Sequence, residues 1–179
     1  MPELQRLRAD HAPGILAFEV ENRAYFAAFV SDRGDDFFDH FAEQYNALLA
    51  EQETGTCVFH ALVDEDGAVL GRFNLVDLAD STAELGYRVA ERVAGRGVAT
   101  ATVQELCRLA ATQYRLRTLR AAATHENVAS QKVLTKAGFV PTGPAEPGGR
   151  PGTWYRRDLV ADQSISLCRL AVAPPAVGH

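Results

Sequence analysis

One short loop, Gly95-Arg96-Gly97, constrains the fold of this chain more than any other stretch of its sequence. An apolar, strand-like segment precedes the loop, and a long helical pattern starts directly after it at Val98. Two glycines around a basic residue at the start of a helix let backbone N–H groups and the positive end of the helix dipole approach an anion. The loop therefore predicts either a phosphate cradle or a tight strand-to-helix turn without a ligand, and the neighbouring sequence must decide between them.

The chain has 179 residues, of which 47% are hydrophobic and 23% charged, with a formal net charge of -5. This size suits one domain with its own core, which we expect over residues 1–160, followed by a partly disordered extension over residues 161–179. The negative charge argues against a nucleic-acid partner. Polar residues interrupt the N-terminal segment and no apolar run is long enough to span a membrane, so the sequence predicts a cytoplasmic protein without a membrane partner.

Three cysteines, Cys57, Cys107 and Cys168, are odd in number and far apart in the sequence. None of them has a histidine or a second cysteine at the spacing of a metal site. We therefore expect buried free thiols and no bound metal.

Hydrophobic periodicity predicts an alternation of strands and helices. The expected strands cover residues 3–8, 56–63, 68–76, 83–90, 119–124, a start at 139–140, and 153–160. The expected helices cover residues 10–20, 37–52, 98–114 and 127–137, while residues 21–30 are apolar without a clear period. A tight turn is expected at 64–67, a flexible connection at 141–152 and a disordered end at 171–179. This order predicts an α+β fold with a mixed, mainly antiparallel central sheet of about seven strands and about four helices on its two faces.

Six short motifs share an order along the chain. They are Leu4-Gln5-Arg6-Leu7-Arg8, Glu21-Asn22-Arg23 with Phe26, Glu84-Leu85-Gly86-Tyr87, Arg96-Gly97-Val98-Ala99-Thr100, Asn127-Val128-Ala129-Ser130 and Lys136-Ala137-Gly138-Phe139. From about Leu4 to Val160 the chain thus resembles the GNAT superfamily of acyl-CoA-dependent N-acyltransferases. Within that superfamily it looks most like the branch that acetylates the α-amino groups of ribosomal proteins on alanine or serine. The resemblance implies the GNAT fold described above.

The resemblance also implies a binding site for acetyl-CoA as co-substrate, without a metal. The matching positions are Val89, Ala94, Gly95, Arg96, Gly97, Val98, Ala99, Thr100, Asn127 and Ser130. In the family, the loop binds the pyrophosphate, the N–H of Val89 would face the developing oxyanion, and Asn127 would bind the pantetheine arm.

The loop departs from the family pattern at two positions. Ala94 stands where the family usually has Gln or Arg, and Glu91 replaces a proline. Arg92 and Arg96 could compensate for the missing charge, whereas the backbone cradle itself depends on the glycines.

Two residues are expected to carry the proton transfers. The resemblance implies Ser130 as the acid near the CoA sulfur, and we expect Glu84 to act as the base, directly or through a water molecule. His125 and Glu126 are the second choices for the base. The ordinary explanations are that Ser130 and Asn127 only cap a helix and that Glu84 is a solvated carboxylate on a strand.

Two other catalytic routes of the superfamily are closed in this sequence. Leu134 occupies the position of a tyrosine that serves elsewhere as the acid, and Ala122 occupies the position of another base. Ser130 or water must therefore protonate the leaving thiolate.

The sequence thus predicts an acetyl-CoA-dependent N-acetyltransferase that acts on a primary amine, most readily the α-amine of a protein or peptide N-terminus. A small-molecule amine, such as an antibiotic or a metabolite, is the alternative acceptor. A non-catalytic acyl-CoA sensor is a second class, and a homodimer is left open. A dinucleotide or P-loop domain is excluded because the sequence has neither Gly-x-Gly-x-x-Gly nor Gly-Lys-Ser/Thr at the loop.

Overall fold

Seven strands form one sheet in residues 1–159, the part of the chain that the computed structural model describes. They are β1 (Glu3–Arg6), β2 (Val58–Val63), β3 (Val69–Ala79), β4 (Thr82–Val89), β5 (Thr118–Thr124), β6 (Val140–Ala145) and β7 (Gly152–Asp158). Their order in the sheet is β1-β2-β3-β4-β5-β7-β6. Only β4 and β5 pair in parallel, whereas the other neighbours are antiparallel. The predicted mixed, mainly antiparallel sheet is therefore confirmed.

Six α-helices cover the two faces of the sheet in the described residues. They are α1 (Ala12–Glu21), α2 (Arg23–Ala27), α3 (Asp35–Asp39), α4 (Phe41–Glu53), α5 (Val98–Thr112) and α6 (Val128–Lys136). Helices α1–α4 pack on one face and α5 and α6 pack on the other. In those same residues, no helix is both long and apolar enough to cross a membrane.

Strand β4 shows how the sequence assigns side chains to the two faces, because successive side chains of a strand point in opposite directions. Ala83 and Leu85 belong to the core under α5 and α6, and Tyr87 and Val89 pack at its edge. Arg88 lies on the opposite face, where it contacts α1. This alternation lets one strand contribute to both sides of the sheet.

Two predicted boundaries and the predicted state of two cysteines are confirmed. In the turn after β2, the Asp64 carboxylate accepts the N–H groups of Asp66 and Ala68, at 3.0 and 2.9 Å. Helix α6 ends at Gly138, whose φ of 87° favours glycine. Cys57 and Cys107 are buried free thiols.

The predicted helix over residues 37–52 is wrong in one respect, because it is two helices. His40, with φ -115° and ψ 30°, is not helical and separates α3 from α4. The break lets Phe37 and Phe38 stack under the guanidinium groups of Arg33 and Arg23, at 4.8 and 4.4 Å. A continuous hydrophobic period conceals such a break. Residues 21–30, which lack a clear period, contain the short helix α2.

The flexible connection predicted over residues 141–152 is also wrong, since β6 occupies its first half. Pro141 and Pro144 lie in this strand opposite Tyr155 and Thr153 of β7. Proline is tolerated because β6 is an edge strand, where one side of the backbone makes no ladder hydrogen bonds. The predictions for residues 160–179, including Cys168 and the disordered end, lie outside the described residues.

Candidate active site

The sheet opens between β4 and β5. The two strands pair only where residues 82–84 lie beside residues 118–120, and beyond Glu84 and Arg120 they separate. Strand β4 then continues to Val89 and β5 continues to Thr124. The gap opens into a cleft of about 470 Å³, a volume within the range of small-molecule sites.

The cleft reaches both faces of the sheet. Tyr87 and Val89 line it and pack on the side of α5 and α6, whereas Phe26 lines it from α2 on the opposite face. Arg88 also lines it on the side of α1. A ligand that enters along α5 and α6 can therefore meet one that enters from α1 and α2.

The N–H group of Val89 points into the gap. Ala90 donates its N–H to Leu70 of the β3 side at 2.8 Å, and the N–H groups along an antiparallel strand alternate in direction. The N–H of Val89 is therefore directed toward β5, which has separated from β4 at this level. This donor is available to a ligand in the cleft.

The glycine loop forms the end of the cleft at the start of α5. Gly95 and Gly97 have φ of 73° and 78°, and at either residue no atom beyond the adjoining backbone and chain neighbours lies within 4 Å of the position that a Cβ would take. Gly97 is the N-cap of α5, and no side chain caps the first turn. The free N–H groups and the dipole of this 15-residue helix therefore face an open space. Ala94, Ala99 and Thr100 also line the cleft.

The positive side chains at this end differ from those expected. Arg96 is exposed and does not line the cleft, and Arg92 lies 3.9 Å from Asp64. Lys132 and Lys136 line the cleft from α6 instead, one helical turn apart. Sequence reasoning missed both lysines, although their spacing from Ala129 places the three residues on one face of the helix.

Asn127 and Ser130 have different roles at the start of α6. The Oδ1 atom of Asn127 accepts the N–H of Ser130 at 3.1 Å, so Asn127 is the cap of the helix. The hydroxyl of Ser130 makes no capping bond and instead lies 2.9 Å from the hydroxyl of Tyr87. Both residues line the cleft together with Tyr87. Ser130 thus presents a hydroxyl to the cleft and is not the cap.

Tyr87 is a site residue that the sequence analysis missed as a functional group. Its ring stacks on Phe73 with 5.7 Å between the centroids, and burial raises its pKa to about 12. The phenol therefore stays protonated at neutral pH and can donate a hydrogen bond to Ser130. The sequence did contain a signal for this residue. It directly follows Gly86, and the alternation of side chains along β4 assigns it to one face of the strand.

The residues considered as bases lie away from this group. Glu84 does not line the cleft, lies 3.8 Å from Arg120, and has a pKa raised by burial. It precedes Val89 by five residues, which corresponds to ~16 Å along a strand. His125 and Glu126 are exposed and do not line the cleft either. Val98, which was expected at the CoA site and not as a base, packs against the core at the start of α5.

Comparisons with known proteins agree with this architecture. Residues 3–140 match the acetyltransferase (GNAT) domain family. The chain is 27% identical over 153 residues to the probable N-acetyltransferase YjcK of Bacillus subtilis, covering 82% of this chain and 84% of that protein.

Solved structures of two kinds of acetyltransferase share the fold. The ribosomal-protein-S5-alanine acetyltransferase of Vibrio fischeri superposes with a TM-score of 0.81 at 18% identity, covering 90% of this chain and 94% of that one. The spermidine N-acetyltransferase of Vibrio cholerae, in complex with CoA and spermine, superposes with a TM-score of 0.72 at 16% identity, covering 88% and 95%. The fold is therefore common to enzymes with different acceptors.

Proposed function

The chain belongs to the GNAT acetyltransferase family, and on that premise we propose that it transfers an acetyl group from acetyl-CoA to the α-amine of a protein or peptide N-terminus. The observation that carries the proposal is the cleft between the separated strands β4 and β5, which is open to both faces of the sheet. We call its end at the glycine loop and α6 the donor side, and its end at Phe26 and Arg88 the acceptor side.

The donor side has the features that a pyrophosphate requires. Gly95 and Gly97 leave room for close approach to the backbone, and the uncapped first turn of α5 offers N–H donors. Lys132 and Lys136 add two positive charges along the same wall. These groups offset the loss of the usual side chain at Ala94, a role for which Arg92 and Arg96 are less well placed.

Acetyl-CoA supplies an acyl group activated as a thioester. The N–H of Val89 would donate to the thioester oxygen as negative charge develops there. The hydroxyl of Ser130 would donate its proton toward the departing sulfur, and Tyr87 would hold that hydroxyl through the 2.9 Å hydrogen bond. A base role for Glu84 stays a prediction, and the distance along β4 favours action through water molecules.

The proposal is tested first by acetyl-CoA binding. Acetyl-CoA at about 100 times its Kd is expected to stabilise the wild-type protein by ~2.7 kcal/mol in a thermal-shift measurement. Gly97→Asp should abolish this shift, because its carboxylate would repel the pyrophosphate. Gly55→Asp is the matched control, since Gly55 has a φ of +81°, equally open surroundings and a place outside the cleft. No shift at millimolar acetyl-CoA would remove the proposal.

Turnover distinguishes the enzyme from its alternatives. Release of free CoA with N-terminal peptides supports the proposed acceptor, whereas release only with small amines supports a small-molecule acetyltransferase. Acetyl-CoA binding without turnover on either would indicate a sensor, which the departures at Ala94, Glu91 and Leu134 motivate. The cytoplasmic location and the homodimer stay predictions.

A further inference from the structure

A buried carboxylate on α1 is contacted by three guanidinium groups. Glu19, with 1% of its side chain exposed, accepts from Arg33 Nε and Arg72 Nη1 at 3.1 Å each and from Arg88 Nη1 at 3.3 Å. Arg72 belongs to β3 and Arg88 to β4, so the group joins α1 to the sheet. We call these four residues the Glu19 cluster.

The Glu19 cluster contains two more positive charges than negative ones. The side chain of Arg72 is only 4% exposed, and its Nε atom is buried without a hydrogen-bond partner among the described residues. Burial lowers the pKa of Arg72 and lowers that of Arg88 to about 10. Buried charges are normally paired, because an uncompensated one is costly. An anion beside the cluster would relieve this imbalance.

Arg88 is the member of the cluster that lines the cleft. Its guanidinium lies over the ring of Phe26, 4.8 Å from the centroid, and its side chain is 22% exposed. Within the described residues, Nη1 is the only guanidinium nitrogen of Arg88 that makes a hydrogen bond. The side chain is therefore held from two directions while it retains donors that can bind a ligand in the cleft.

The position of Arg88 relates these donors to the reaction. It directly precedes Val89, so the two Cα atoms are ~3.8 Å apart. Its side chain lies on the face opposite Tyr87, which is the acceptor side of the cleft. A group bound by Arg88 would thus lie on the side of the cleft from which the amine attacks the thioester.

We propose that Arg88 binds a carboxylate of the acceptor, so that the enzyme prefers amines that carry a carboxylate close to the amino group. The inference rests on the proposed acetyl transfer to an amine and specifies a chemical feature of the acceptor. None of the described residues that line the cleft is acidic, which makes it a poor site for a polycation such as spermidine. Two sources supply the same chemistry: an acidic side chain near the N-terminus of a peptide, or the carboxylate of a free amino acid.

Matched acceptors test this inference with the wild-type protein and acetyl-CoA. One pair is a peptide with Asp at its second position and the same peptide with Asn, and the other is alanine and alaninamide. The carboxylate member of one pair should have a kcat/KM at least about tenfold higher than its amide. The pair in which the carboxylate member is preferred identifies the source of the carboxylate. The inference would be overturned by equal kcat/KM values within both pairs, by a preference for spermidine, or by no acetylation of any of these acceptors.

Variants assign the preference to one side chain. Arg88→Gln should remove the preference, so that the ratio of kcat/KM for the carboxylate member to kcat/KM for its amide falls to about one. Arg33→Gln is the matched control, because Arg33 contacts the same oxygen of Glu19 but does not line the cleft, and it should retain the preference. If Arg88→Gln does not fold, Arg88→Lys is the second variant to test. It keeps the charge and should retain part of the preference. Loss of the preference in Arg33→Gln, or its full retention in Arg88→Gln, would overturn the inference. The acetyl-CoA thermal shift reports the donor side separately.

Discussion

The donor and acceptor sides of the cleft are built from contacts of different range. On the donor side, Asn127 caps α6 by accepting the N–H of Ser130, three residues away, and the glycine loop passes directly into α5. On the acceptor side, Glu19 meets Arg72 and Arg88, which are 53 and 69 residues away. The cap and the loop need only short motifs, whereas the Glu19 cluster exists only after the sheet and α1 have packed.

This difference bears on how one fold serves several acceptors. A local motif keeps its geometry when distant residues change, so the glycine loop and the cap of α6 on the donor side can stay the same. A site made by distant charged residues changes with any of them. The acetyltransferases that superpose on this chain include one for a ribosomal protein and one for spermidine, in agreement with a shared donor side and a variable acceptor side.

The largest expected effect concerns the Glu19 cluster. Glu19→Gln leaves three guanidinium groups without their carboxylate, so the free energy of unfolding should fall by about 3–5 kcal/mol in denaturant titrations. Glu21→Gln, at an exposed position of the same helix, should change it by less than ~0.5 kcal/mol. If the free energy of unfolding falls by a similarly small amount in both variants, the stability of the protein does not depend on the buried charges of the acceptor side.

On the donor side, Ser130→Ala should change chemistry and not stability. Turnover should fall about 10²-fold, at the low end of general-acid effects, with acetyl-CoA affinity little altered. The free energy of unfolding should change little, because Asn127 supplies the cap. Thr135→Ala, at an exposed hydroxyl of the same helix, is the control. Wild-type turnover in Ser130→Ala would leave protonation of the thiolate to water.

Tyr87→Phe should have a smaller effect, because the phenol acts through Ser130. We expect kcat to fall by about tenfold with an unchanged acetyl-CoA Kd, and the effect should disappear in the Ser130→Ala background. Tyr45→Phe removes another buried phenol, which donates to the backbone carbonyl of Arg8 on the opposite face of the sheet, and should leave kcat near normal. Additive losses in the double variant would show that Tyr87 acts independently of Ser130.

The smallest effects are expected at the lysines of α6. Lys132→Ala and Lys136→Ala should each weaken acetyl-CoA binding by a few fold in calorimetry, and the loss should shrink as salt is added. Arg117→Ala, at an exposed position outside the cleft, removes the same charge as a control. Equal affinities in all three variants would assign pyrophosphate binding to the backbone alone.

The contrast in range also explains which features the sequence reveals. The positive φ at Gly97, the cap at Asn127 and the end of α6 at Gly138 follow from neighbouring residues, so local patterns predict them. Glu19 and Arg88 look like ordinary charged residues of a helix and a strand, because the contact between them depends on packing between distant elements. The break at His40 and the proline-containing edge strand β6 were missed for the same reason.

The lysines of α6 have a chemical consequence beyond their charge. Lys132 and Lys136 are the only two lysines among the 179 residues, and all other basic side chains of the chain, apart from histidines, are arginines. A guanidinium stays protonated and is a poor nucleophile, so the surface offers few amines for self-acetylation. Mild labelling with an amine-directed reagent should therefore modify little besides the N-terminus and these two lysines. Protection of the two lysines by CoA would then give a direct footprint of the occupied cleft.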